Sequence, residues 1–249
     1  MVTAIKIRLL LRTAVLSIVV LAALCRFAIS PASGQSLNTD KALQASAVVA
    51  SDRLLTEGKN FFLANDYASA LNSFRQFEAV RPNNFPVHFW IGLILDQNGD
   101  AAGALDQYRQ SLTQAKTVDM DSAELRVNLG NTLSKMGYSK EPLADYQRAI
   151  VIDPMNPLAH LGLSKCLIDS GDYAAALKAV DRFGTLGGRD INVPLLRGLA
   201  LAGQGNYAEA RQQLRNYLSF TNSSRLPTNP ALTALATKIL NEIESAPVP

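Results

Sequence analysis

A glycine and an alanine recur twelve residues apart along this chain of 249 residues: Gly58 with Ala70, Gly92 with Ala104, Gly198 with Ala210. The blocks that carry them begin near Ser51, Phe85, Ala123, Pro157 and Ile191, at offsets of 34, 38, 34 and 34 residues. A period of this length means stacked supersecondary units rather than one globular core. It also moves the functional question from which residues react to what lies against the surface.

Each block reads as two short helices. In the fourth, Pro157 to Ser170 is apolar around its circumference, Gly171 and Asp172 break it, and Tyr173 to Phe183 resumes with Ala176, Leu177 and Val180 inward. Matching breaks stand at Asn65-Asp66, Gly99-Asp100, Gly137-Tyr138 and Gly205-Asn206. A glycine there suits the left-handed residue that ends a helix, and a following Asp or Asn suits the cap of the next. Connections this short force the paired helices antiparallel. Gly58, Gly92, Gly130 and Gly198 then let the second helix approach the first. Phe74, Tyr108, Val180 and Leu214, four places after each alanine, fill the seam towards the next unit.

These residues resemble the tetratricopeptide repeat (TPR) family. The first block carries Leu54, Gly58, Phe61, Asp66, Tyr67, Ala70, Phe74 and Pro82. The third carries Leu129, Gly130, Gly137, Tyr146, Ala149, Asp153 and Pro154. The resemblance implies an all-α fold: an α-solenoid of about five helix pairs (51–84, 85–118, 123–156, 157–190, 191–224) wound as a right-handed superhelix. Two departures mark irregular joints. The third block has Pro142 where a small alanine belongs, tolerable only at a helix start, and four extra residues around Val118 to Asp121 lengthen the turn before it. The fourth has Ser164 in the glycine place and a loose end from Gly184 to Gly188. Residues 229–246 supply a C-terminal capping helix, with Asn229 and Pro230 at its start and an apolar stripe of Leu232, Leu235, Ile239, Leu240 and Ile243.

Residues 1–34 read as a secretory signal peptide: Lys6, Arg8 and Arg12, an apolar run from Ala14 to Cys25, then small residues suited to cleavage after Ala32 or Gly34. The alternative is an uncleaved anchor through residues 9–29, in which Arg26 would lie at a cost in lipid. Residues 35–50 form a partly helical lead-in. The leader holds four of the 24 basic residues and none of the 21 acidic ones, so the remainder carries 20 against 21, a net charge of −1. No basic stripe advertises nucleic acid or an anionic membrane surface. The expected location is extracytoplasmic: periplasm, thylakoid lumen or secreted, with membrane contact only through the N-terminal segment if it stays uncleaved.

Little in the chain can carry chemistry. His88 and His160 share an early position of a first helix in non-adjacent blocks and read as seam fillers. Cys166 reads as a small buried hydrophobe. Asp66, Asp100 and Asp172 read as helix caps. No metal-ligand spacing, phosphate-cradling loop or nucleophile elbow occurs, so no cofactor, no metal and no enzyme activity are expected.

Binding is the better expectation. The resemblance implies that the first helices line a concave groove, with the fifth residue of each unit facing into it: Leu55, Phe89, Val127, Leu161 and Leu195. Four residues on come Lys59, Leu93, Asn131, Lys165 and Leu199, and one turn further Phe62 and Ile168. An apolar floor with a few donors suits an extended or helical segment of a partner protein. The alternative is a groove that covers itself, by the superhelix closing or by residues 35–50 folding across it. A carboxylate clamp of the kind some TPR proteins use is excluded, because Leu55, Trp90 and Glu124 occupy its polar and basic places. The sequence therefore points to a non-enzymatic scaffold that binds a protein segment and assists an extracytoplasmic complex. The alternative is a self-assembling, homo-oligomeric structural solenoid of the cell envelope.

Overall fold

The computed structural model describes residues 36–82, 84–118, 120–138, 140–223 and 229–245, with side chains described from residue 45 onward. The expected leader, residues 1–34, lies outside them. Eleven helices occur among the described residues and no strand. They are α1 (Ser36–Leu63), α2 (Tyr67–Val80), α3 (Phe85–Gln97), α4 (Ala101–Thr117), α5 (Ala123–Lys135), α6 (Pro142–Ile152), α7 (Pro157–Ser170), α8 (Tyr173–Thr185), α9 (Val193–Gly203), α10 (Tyr207–Ser223) and α11 (Pro230–Ser245). None of the described helices is long and apolar enough to cross a membrane. The chain divides into residues 1–52 and a compact unit from Arg53 onward, so α1 begins in the first and ends in the second.

In the compact unit the helices pair as α1/α2, α3/α4, α5/α6, α7/α8 and α9/α10, an α-solenoid closed by α11. Its interior is not one core but a file of apolar clusters, each bridging one pair to the next. Phe74 and Phe77 of α2 meet Val87, Ile91 and Ile94 of α3. Leu195 and Leu201 of α9 meet Leu214 and Tyr217 of α10 and Ile243 of α11. The first helices also touch one another, α3 with α5, α5 with α7, α7 with α9 and α9 with α11, whereas no such contact joins the second helices among the described residues. Closer spacing along one layer bends the stack towards it, which makes the first-helix layer the inner, concave side.

The glycines work as their spacing requires. A Cβ on Gly92 would lie 2.6 Å from the Tyr108 ring, and one on Gly130 would lie 2.9 Å from Tyr146. A Cβ on Gly162 would also overlap Tyr146, so that ring is gripped by its own repeat and the next. Ser164, in the glycine place of the fourth repeat, is fully buried and turns its hydroxyl back onto the Leu161 carbonyl at 2.7 Å. Gly99, Gly137, Gly171 and Gly205 hold φ of 80–87°, and Asn65 takes the same left-handed role at 60°. Asp66, Asp100 and Asp172 cap α2, α4 and α8 by accepting from the backbone N–H of Ser69, Gly103 and Ala175. Pro142 is the first residue of α6, where its missing N–H costs nothing.

The four extra residues before the third repeat go mostly into helix rather than turn. The second helix of this pair, α4, runs 17 residues against 14 for α2. The connection that follows is then only one residue longer than that between α2 and α3. Asp121, within it, receives two hydrogen bonds from Arg126, at 3.0 and 3.2 Å, and one from Arg148 at 2.9 Å. Arg126 also donates to Asp145 at 2.7 Å. Burial pushes the Asp121 carboxyl up, but the bonds from Arg126 and Arg148 prevail and hold it below the ordinary carboxylate range.

Candidate functional site

The concave face is built from α1, α3, α5, α7 and α9, and its residues fall into three groups. Leu55, Lys59, Phe62, Phe89, Leu93, Asn131, Ile168 and Leu199 are half-buried, and Lys165 is exposed. Val127, Leu161 and Leu195, expected on the open floor, are 3, 6 and 1% exposed. They serve the seams: Val127 clusters with Tyr146 and Ala159, Leu161 with Val180 and Phe183, Leu195 with Leu214 and Tyr217. The open surface in the third to fifth repeats therefore comes from the later turns of each first helix, and from Leu158, which is 54% exposed.

At the N-terminal end the face is aromatic. Trp90 stacks on Phe74 with an interplanar angle of 17°, and Phe62 meets the indole edge-on with centroids 5.3 Å apart. Phe89 lies 6.0 Å from Trp90 on one side and 6.1 Å from Tyr108 on the other. The Lys59 ammonium sits over the indole, 5.7 Å from its centroid. Trp90, half-buried, enters the sequence reading only as an obstacle to a carboxylate clamp. Its role as the hub of this cluster depends on Phe62 and Phe74, from another repeat.

The middle of the face is polar, and Asn131, Lys135 and Asp96 answer partners within it. Tyr146 donates its hydroxyl to Asn131 Oδ1 at 2.8 Å, and Lys135 spans to both Asp96 oxygens at 2.8 and 2.7 Å. Tyr108, the counterpart of Tyr146, has a buried hydroxyl with no partner among the described residues, because Leu93 stands where Asn131 would answer it. Burial pushes the Tyr146 phenol up to about 12, and the Tyr108 phenol is also raised, by burial first and by Asp96 second.

The C-terminal end is a cleft of about 380 Å³ between α7, α9 and α11, lined by Ile168, Leu199, Ile239 and Ile243 with Tyr173, Tyr207 and Glu242 at its border. The tyrosines begin α8 and α10, and α11 serves as both cap and wall. The apolar stripe of α11 was legible, but not that its Ile239 and Ile243 would complete a cleft.

The described residues best suited to bond chemistry sit in structural settings. His88 is buried, with Nδ1 2.8 Å from Gln107 Oε1 and Nε2 3.0 Å from Gln114 Nε2. Both ring nitrogens are thereby engaged by side chains of α4. His160 Nε2 lies 3.1 Å from the Pro154 carbonyl. The Cys166 thiol is buried and pushed up to about 11, by burial first and Asp169 next, the reverse of an activated thiolate. No cluster of metal-ligating side chains occurs among the described residues.

Residues 55–118 and 128–183 match the tetratricopeptide repeat model, so over those residues the chain is similar to the tetratricopeptide repeat family. Among curated proteins it is similar to the RNA polymerase-associated protein CTR9 of Caenorhabditis elegans. The identity is 28% over 120 residues, covering 48% of this chain and 10% of the relative. The chain thus matches about a tenth of that protein's length. Among solved structures it resembles YrrB, described as a TPR protein with an unusual peptide-binding site. The TM-score is 0.61 and the identity 17%, covering 74% of this chain and 90% of that one. It also resembles PilW, described as a widely conserved type IV pilus biogenesis factor. Here the TM-score is 0.57 and the identity 18%, covering 78% and 90% of the two chains. At these identities the two structures speak for the fold alone.

Proposed function

We propose that this protein is a non-enzymatic scaffold that holds a segment of a partner protein along its concave face, and so assists an extracytoplasmic complex. The observation that carries the reading is the pairing of two apolar sites on one face: the aromatic floor of Phe62, Phe89 and Leu93, and the 380 Å³ cleft around Ile168 and Leu199. Apolar surface left open at both ends of a helical groove is what an extended or helical segment covers. The peptide-binding site named for YrrB is consistent with this use of the fold. The extracytoplasmic part rests on the leader pattern of residues 1–34.

The test is a double variant. Leu161→Asp is a poor choice, since that side chain is 6% exposed and its loss would damage the core. Phe89→Asp with Leu199→Asp strikes both ends of the face at half-exposed positions. This variant should keep its circular dichroism and lose the proteins that the parent captures from its own extract. An unchanged set of captured proteins, identified by mass spectrometry, overturns the reading. For the location, the native protein should begin at Ser33 or Gln35. An intact Met1 on protein recovered from the cytoplasm would refute it.

A further inference from the structure

We infer that the Lys59–Trp90 corner of the concave face is a subsite for an acidic side chain carried beside an apolar one. The inference rests on the groove reading for its place on a longer partner segment, and on the following geometry for its chemistry. Lys59 is half-buried, its ammonium lies over the Trp90 indole, and no ion pair among the described residues engages it. An ammonium has three N–H donors. A ring face balances part of its charge and accepts no second or third bond. The remaining donors are left for whatever lies in the groove.

The neighbouring charge on the same face behaves differently. Asp96, one repeat on, is held by Lys135 through both carboxylate oxygens, so it asks nothing of a ligand. Among the described residues Lys59 brings to the aromatic end a charge that no ion pair engages. A cationic segment placed there would meet a like charge in a partly desolvated setting, while a carboxylate would pair with it. The residues beside it are Phe62, Phe89 and Leu93, all half-buried, so the residue next to the acid must be apolar. The platform is also preformed: Phe74 backs the indole and Phe62 abuts its edge, and a ring held on two sides loses little freedom when a ligand arrives.

Trp90 is the single tryptophan of the chain, so its emission reports this corner and no other. In the full-length protein, iodide should quench Trp90 more strongly than caesium, and Lys59→Gln should abolish the difference. Two acetylated and amidated octapeptides, Gly-Ser-Asp-Leu-Leu-Gly-Ser-Gly and the same sequence with Lys for Asp, provide the ligand arm. The acidic peptide should perturb Trp90 emission at about tenfold lower concentration, the ratio expected of one partly desolvated ion pair. Lys59→Gln should remove that preference and Lys59→Glu should reverse it. Equal quenching by the two ions, a preference that survives Lys59→Gln, or no response to either peptide overturns the inference. The two readings fail separately. If Phe89→Asp/Leu199→Asp still releases captured proteins while the Lys59 preference is absent, the groove stands and the subsite falls. If the preference holds while capture is indifferent to the double variant, the subsite stands alone.

Discussion

The second and third repeats share one plan and spend it differently. Both set a tyrosine on a glycine of the preceding helix, Tyr108 on Gly92 and Tyr146 on Gly130, and both end the first helix on a left-handed glycine, Gly99 and Gly137. In the third, Asn131 answers the tyrosine hydroxyl, and Arg126 ties the α4–α5 connection to α6 through Asp121 and Asp145. In the second, Leu93 leaves the hydroxyl unanswered, and the seam is completed instead by Phe89 and Trp90. The lesson is that the repeat dictates a slot of given shape. Whether a polar atom in that slot stabilises or destabilises is decided by one residue on the paired helix, fifteen positions away.

The comparison can be broken in four ways, from the largest expected effect to the smallest. Arg126→Ala takes the cation from Asp145, leaves Asp121 to Arg148 alone, and should cost about 3 kcal/mol, read from the urea midpoint at neutral pH. A loss below about 1 kcal/mol would mean that the ionic joint is ornamental. The same joint has a pH signature. The Asp121 carboxyl is lowered in the folded state, so its contribution is present above the ordinary carboxylate value of about 3.9 and fades as pH falls through the folded value. Asp121→Asn should therefore be less stable than the parent at pH 7, and the gap should narrow in acid. A constant gap down to the lowest folded pH would contradict the assignment. Tyr146→Phe should cost about 1–2 kcal/mol by orphaning Asn131, whereas Tyr108→Phe should fall within about 0.5 kcal/mol of the parent, or above it. Equal losses in the two thermal melts would erase the difference claimed between the repeats. Gly99→Ala and Gly137→Ala serve as the control. Both force a left-handed alanine at a cost of about 1 kcal/mol, and the two values should agree, since the turns are alike.

What was legible in the sequence is what a residue does to its own helix or to its partner in the same repeat. The glycine and alanine spacing, the Asp66, Asp100 and Asp172 caps, and Pro142 at the head of α6 are of this kind. The groove was less legible, because exposure at one position depends on the neighbouring repeat. Leu55 and Phe89 stay half-open, while Val127, Leu161 and Leu195 at the same place are drawn into seams beside Tyr146, Phe183 and Tyr217. Asp145 gives no sign, 19 residues on, that it will meet Arg126. Nor does the count of extra residues before Ala123 say that α4 will absorb most of them; that follows from the cheapness of adding hydrogen-bonded turns to an existing helix.

Among the described residues the first helices lean on one another and the second helices do not. The array is accordingly a spring with a one-sided resistance. Straightening it must pull apart the inner row, where the contacts are, while winding it tighter parts nothing along the outer row. A guest that widens the inner row works against the stack, and one that draws it together works with it. Amide exchange should therefore slow first along α3, α5, α7 and α9 when the face is filled; slowing confined to α4, α6 and α8 would show that the resistance lies on the other side.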